Sequence, residues 1–234
     1  MAQAKGGAAQ WASRLGIAGV TAFVAGPLVA HVGVAPALAG FAIFALGGLL
    51  GLLALAVGIV GAFRGQGAGA GLGLSVVVAL AFIVNAVPGG KFPRINDITT
   101  DTTNPPQFVT AGSLPGNQGR DMAYPGVTFA EQQRSGYPGF GPLRLNVAPD
   151  EAFKRIDAAA KQMPDWEITR SDAAAHALEG VATSRLFRFK DDFVIEVRPQ
   201  DGGSVVQMRS KSRDGKGDIG ANATRIKAFF ATVQ

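Results

Sequence analysis

FVIEVRPQDGGSVVQMRS, residues 193–210, reads as a hairpin. Apolar β-formers fill Phe193–Arg198 and recur over Ser204–Ser210, and Asp201-Gly202-Gly203 makes a tight polar turn between them. A connection this short forces the two strands to run antiparallel. Upstream, Trp166–Arg170 reads as a short strand with Trp166 and Ile168 on one side. Leu178–Phe189 reads as a longer one, in which Val181, Thr183, Arg185, Phe187 and Phe189 alternate with the other face, and Lys190-Asp191-Asp192 as the turn that follows it. Before these strands, Phe153, Ile156, Ala160 and Met163 fall at helical spacing behind Asp150, a capping residue, and Pro164 ends the run. After them, Gly220 to Thr232 reads as a helix with Ile226, Phe229, Phe230 and Val233 as its apolar side. The order α-β-β-β-β-α over residues 149–234 predicts a two-layer α+β domain with an antiparallel sheet.

Residues 91–148 have a different texture. They are rich in Pro and Gly and lack periodicity, which predicts an extended segment lying on the domain. Tyr124-Pro125-Gly126 and Tyr137-Pro138-Gly139 suit a chain lying flat on a surface, with an aromatic ligand platform as the functional alternative. Within the segment, 110–119 reads as its most mobile part.

Charge separates all of this from the first 90 residues. The chain has 234 residues, a mean hydropathy of +0.21 and a formal net charge of +5. All 17 acidic side chains lie at or after Asp97, and 17 of the 22 basic ones lie there with them. The basic surplus therefore belongs to Lys5, Arg14, Arg64, Lys91 and Arg94, and it is not the broad cationic face of a nucleic-acid binder.

The first 90 residues carry three apolar stretches, at about 15–34, 37–63 and 68–87. A spanning helix needs ~20 apolar residues, so three transmembrane helices are predicted. Gly47 with Gly51, Gly67 with Gly71, and Gly69 with Gly73 are small-xxx-small pairs. They suit close helix packing within the bundle, or against a second copy or a partner protein. Ala37-Leu38-Ala39 resembles a signal-peptidase site, but the run before it exceeds a 7–15-residue signal core, so a retained helix is preferred. His31 sits near the end of its stretch with no acidic group to relay a proton. Lys5, Arg14 and Arg64 fall on one side of a three-span bundle. That side is then cytoplasmic, and the C-terminal domain lies outside, in the periplasm of a bacterial inner-membrane protein.

The densest chemistry lies between the last strand and the last helix. Arg209, Ser210, Ser212, Arg213, Gly215, Asp218, Asn222 and Arg225 concentrate guanidinium donors and a Gly-rich approach to a helix N-terminus. That combination suits an anion, a lipid headgroup or a partner protein. The competing reading is an internal ion network, with Asp218 as a helix cap and Asp97, Asp101, Asp191 and Asp192 as counter-charges or, alternatively, as carboxylate ligands for a metal. His176 stands apart from any recognisable nucleophile motif, and no cofactor is implied.

Three ordered signatures carry a family resemblance. They are Pro93-Arg94-Ile95-Asn96-Asp97-Ile98-Thr99-Thr100-Asp101 with Pro105-Pro106; Tyr124-Pro125, Gln132 and Tyr137-Pro138; and Phe189-Lys190-Asp191-Asp192 with the Arg209–Ile226 segment. Together they resemble the domain-of-unknown-function 1499 family over roughly residues 92–234. The resemblance implies a domain commonly attached to membranes and brings no catalytic residues with it. The expectation is a membrane-anchored extracytoplasmic binding or assembly module, an accessory to other membrane subunits or self-associating, in contact with membrane lipids. The alternative is an enzyme acting on a lipid or envelope substrate through Asp and Arg groups.

Overall fold

A computed structural model describes residues 7–66, 70–86 and 88–234. It divides into two compact units, residues 1–89 with Leu186–Arg188, and residues 90–185 with 189–234. The first unit contains helices α1 (Gly7–His31), α2 (Ala37–Phe63) and α3 (Ala70–Ala86). α1 and α2 are long and apolar enough to cross a membrane. α3 has 17 residues, about 26 Å at 1.5 Å per residue, so it falls short of the predicted span over 68–87. Gly67 and Gly69 lie outside the described residues, and so does Lys5.

The helical unit inverts the pattern of a soluble bundle. Its contacts are made largely by small residues: Gly40, Gly47, Gly48, Gly51, Gly58, Gly61 and Ala54 of α2 are all buried, and the larger Phe44 packs on Phe23 of α1 with ring centres 4.2 Å apart. A Cβ on Gly47 would stand 2.3 Å from the Phe23 backbone nitrogen of α1, and one on Gly51 would stand 2.6 Å from Val78 of α3. The Gly47/Gly51 pair thus serves two different helix contacts inside the unit. Meanwhile Ile17, Leu28, Leu49, Leu53 and Leu80 point outward, each more than half exposed. Small residues inside and large apolar ones outside is how helices pack when their solvent is hydrocarbon.

The second unit is built on a six-stranded antiparallel sheet. Its strands are β1 (Asp97–Thr99), β2 (Leu143–Leu145), β3 (Trp166–Asp172), β4 (Ala177–Thr183), β5 (Lys190–Gln200) and β6 (Gly203–Ser212), in the order β1-β6-β5-β4-β3, with β2 also paired to β6. Helices α5 (Pro149–Gln162) and α6 (Ala221–Val233) supply Phe153, Ile156, Ile226 and Phe229 to a core shared with Leu178, Phe193, Ile195 and Met208 of the sheet. The predicted order over 149–234 is found. Asp150 lies inside the first turn of α5; the capping position is Ala148, which makes no side-chain cap bond, and Pro149 begins the helix.

Two segments differ from their reading. Residues 91–148 contain β1, β2, a helix α4 (Val127–Gly136) and two 3-10 turns, Ala111–Ser113 and Pro115–Asn117. β1 and β2 are three residues each, too short to show periodicity. The predicted strand over 178–189 ends at Thr183, and the predicted turn Lys190-Asp191-Asp192 is the start of β5. Three consecutive charges read as a solvated turn, yet Asp191 and Asp192 are both buried.

Gly47 and Gly73 offer a paired test of the helix packing. Among the described residues, no atom beyond its chain neighbours and its own helix backbone lies within 4 Å of a Cβ on Gly73. Gly47→Ala is expected to cost about 1–3 kcal/mol through overpacking, whereas Gly73→Ala is neutral or slightly stabilising. Thermal unfolding of the full chain in detergent reads the difference.

Candidate functional site

Side chains alternate across a sheet, so cross-strand partners share a face. Asp97 and Asp192 both pair with Lys211, and Val194 pairs with both Arg209 and Glu179. The face opposite the apolar core therefore carries Asp97, Lys211, Arg209, Asp192 and Glu179, all buried. What covers them is the Pro-rich segment between β1 and α4.

Arg209 is at the centre and fully buried. Its Nε and Nη2 donate to the two Asp97 carboxylate oxygens, both at 2.8 Å, a bidentate pair that Lys211 Nζ joins at 2.9 Å. The guanidinium also donates to the Pro106 and Met122 carbonyls at 3.3 and 2.9 Å. It lies 4.8 Å from the Phe108 ring centre and 5.5 Å from that of Tyr124. Beside it, Arg213 holds Asp192 (Nη2 to Oδ1, 2.7 Å), and Asn117 Nδ2 donates to the other Asp192 oxygen at 2.9 Å. Arg120 donates to the Ser212 and Arg213 carbonyls. Further along, the Glu179 carboxylate accepts the backbone N–H groups of Val109, Thr110 and Ala111 at 2.9–3.0 Å. The charged face thus binds its cover mainly through backbone groups. The stretch 110–119, read as mobile, is pinned by Glu179 and by the buried Asn117.

Apart from Asp101, the remaining predicted site residues lie on the other face of β5 and β6 or beyond the end of β6. Arg225 of α6 donates to Asp191, to Asn222 Oδ1 at 2.6 Å and to Ser210 Oγ at 3.0 Å. Asn222 Nδ2 donates to Ser212 Oγ at 2.9 Å. Asp218 accepts the backbone N–H groups of Gly220 and Asn222, both at 2.9 Å, while Gly220, at φ 81°, is the capping residue of α6. The chain's own carboxylate thus occupies the helix N-terminus that was a candidate anion site. Burial pushes the Asp218 carboxyl above its ordinary pKa despite the two N–H donors. Gly215 is exposed, and its carbonyl accepts from Asn96 Nδ2. Asp101 is separate from the others, paired with Arg198 at 3.3 Å.

These contacts bring the predicted residues together as an internal ion and hydrogen-bond network. Asp97, Asp101, Asp191 and Asp192 face different basic partners, and among the described residues no cluster of three or more His, Asp and Glu could hold a metal. Asp97 does meet Arg209, but both side chains are fully buried, so the pair does not line an open pocket. His176 Nε2 lies 2.6 Å from Asp150 Oδ1, and its ring packs near Phe153.

Sequence reasoning missed Glu179, Asn117, Arg120 and Gln133. A lone acid inside ALEGVAT, residues 177–183, was the available signal for Glu179, because a charge in a buried strand needs donors. Gln133 gave none: its amide bonds both the N–H and the C=O of Thr99, taking the place of a neighbouring strand for β1.

Asp97→Asn is expected to cost about 3–5 kcal/mol, because it leaves Arg209 and Lys211 buried without their counter-charge. Detergent-solubilised protein should then melt at least ~6 °C lower. The two tyrosines provide a pH test, since the chain has no others. Burial first, then the Asp97 charge at Tyr124 and the Asp218 charge at Tyr137, raise both phenols to about 12. Each phenol contributes stability that is complete below the unfolded pKa of about 10 and is lost as pH rises toward 12. Alkaline titration followed by tyrosinate absorbance should show midpoints near 12 in the native chain and about 10 after denaturation.

No curated protein matches this chain. The family described as "Protein of unknown function (DUF1499)" matches residues 97–233, from the first residue of β1 to the last of α6. That match covers more than half of the sequence and nearly all of the second compact unit. The chain belongs to the DUF1499 family.

Proposed function

We propose that the chain is a membrane-anchored binding or assembly module, an accessory to larger membrane proteins. The observation that carries this reading is the inverted helical unit, with glycine at its contacts and Leu28, Leu49 and Leu53 outward. α3 is the third span: it packs on both other helices and carries Val77, Leu80 and Val84 outward. A modest tilt or local bilayer thinning accommodates its length. With three spans, Arg14 and Arg64 share the cytoplasmic side and the family domain lies outside, in the periplasm of a bacterial cell. The closure of the Asp97–Arg209 contact supports a module over an enzyme of the envelope, because a substrate has no route to those charges.

Purification from native membranes in mild detergent tests the assembly role. A stoichiometric companion that stays with the chain through size exclusion is expected, and a chain that elutes alone overturns it. Topology has its own test, since the sequence contains no cysteine. Gly65 and Ser113 are both exposed, and a Cβ at Gly65 meets nothing within 4 Å. A membrane-impermeant thiol reagent added to intact cells should label Ser113→Cys and spare Gly65→Cys; the reverse pattern overturns the orientation.

A further inference from the structure

One end of the sheet gathers three loops. β4 ends at Thr183 opposite Lys190, β6 ends at Ser212 opposite Asp191, and β1 begins at Asp97 opposite Lys211. Backbone bonds join the loops there: Asp218 N–H donates to the Ile95 carbonyl and Arg213 N–H to the Lys190 carbonyl. The chain arriving from α3 enters the sheet at this same end. Lys91 follows Ala86 by five residues, at most roughly 18 Å of extended chain, and Arg94 follows by eight, at most roughly 29 Å.

The side chains exposed at this end have one sign in excess. Lys91, Arg94, Lys190 and Lys216 are exposed cations. The nearby acids are mostly engaged: Asp218 holds the start of α6, and Asp165 pairs with Arg185, which leaves Asp214 as the exposed acid of the β6–α6 loop. Among these cations stands Ile219, an apolar side chain 56% exposed on a residue at φ 52°. The distal β5–β6 turn, by contrast, presents Asp201.

We propose that this end of the sheet rests on the bilayer and binds anionic lipid headgroups through Lys91, Arg94, Lys190 and Lys216, with Ile219 reaching toward the acyl boundary. The proposal rests on the membrane-anchor reading. The short tether supplies proximity, and exposed cations around an apolar residue are the chemistry that an anionic bilayer surface attracts.

The test uses the full chain in phosphatidylcholine vesicles with and without phosphatidylglycerol. Single cysteines at Ile219, at Asp201 and at Leu49 of α2 carry a fluorophore, quenched by nitroxide lipids labelled at the headgroup or deep in the chain. Headgroup quenching of the 219 label, stronger with phosphatidylglycerol and absent at 201, is the expected result. Replacing Lys91, Arg94 and Lys216 by Gln should lower the docked-to-undocked ratio about fivefold per cation. A 219 label quenched no more than the 201 label, or quenched equally in both lipids, overturns the docking surface. Deep quenching at 49 shows whether the membrane anchor itself stands. If 49 is not quenched, the anchor fails and the docking proposal falls with it; if 49 is quenched and 219 is not, only the docking proposal fails.

Discussion

A charge placed inside a protein must find a partner, because the desolvation of an unpaired ion is worth several kcal/mol. That constraint organises the family domain. The sheet buries its apolar face under α5 and α6, but its other face carries Arg209, Lys211, Asp97, Asp192 and Glu179 out of water as well. Carboxylates neutralise part of that face. The rest is satisfied by carbonyls and N–H groups of the covering segment, at Pro106, Met122 and 109–111. The cover is thus the layer that makes the buried charges tolerable, and the charges are what give a segment poor in apolar residues a single place to lie.

The helical unit solves the opposite problem. Among the described residues of its three helices only Arg14 and His31 are ionisable, and its specificity comes from shape. Glycine removes side chains where backbones meet, as at Gly47 against Phe23 and Gly51 against Val78, and the leucines and valines displaced from the contacts form the outer surface. One chain therefore holds a unit ordered by backbone approach and another ordered by charge pairing. Its charge distribution along the sequence divides at the same place, with every acidic residue at or after Asp97.

Local patterns were legible where one physical effect dominated. The β5–β6 hairpin, the apolar faces of α5 and α6 and the two long apolar helices could each be read from periodicity or length. The site was legible only as a composition: Arg209, Arg213, Arg225 and their acids were found, but not which acid each would face. Lys190-Asp191-Asp192 shows why. In sequence, two adjacent acids look solvated, and only the arrival of Arg225 from α6 and Arg213 from beyond β6 makes them buried strand residues. Asn117 and Gln133 were invisible because a single polar side chain reaching a partner distant in sequence, the Asp192 carboxylate for Asn117 and the Thr99 backbone for Gln133, has no period to announce it.

The grip of Glu179 on the cover has a consequence for variation. It holds the stretch Val109-Thr110-Ala111 by main-chain N–H groups that every residue except proline possesses, with the Thr110 hydroxyl as its one side-chain addition. Val109 and Ser113 around it are exposed to solvent. The fold therefore fixes the path of this stretch while leaving its outward chemistry uncommitted. Different side chains at Val109 and Ser113 would sit over an unchanged scaffold, and an engineered epitope or affinity handle placed at these outward positions would leave the anchoring bonds intact.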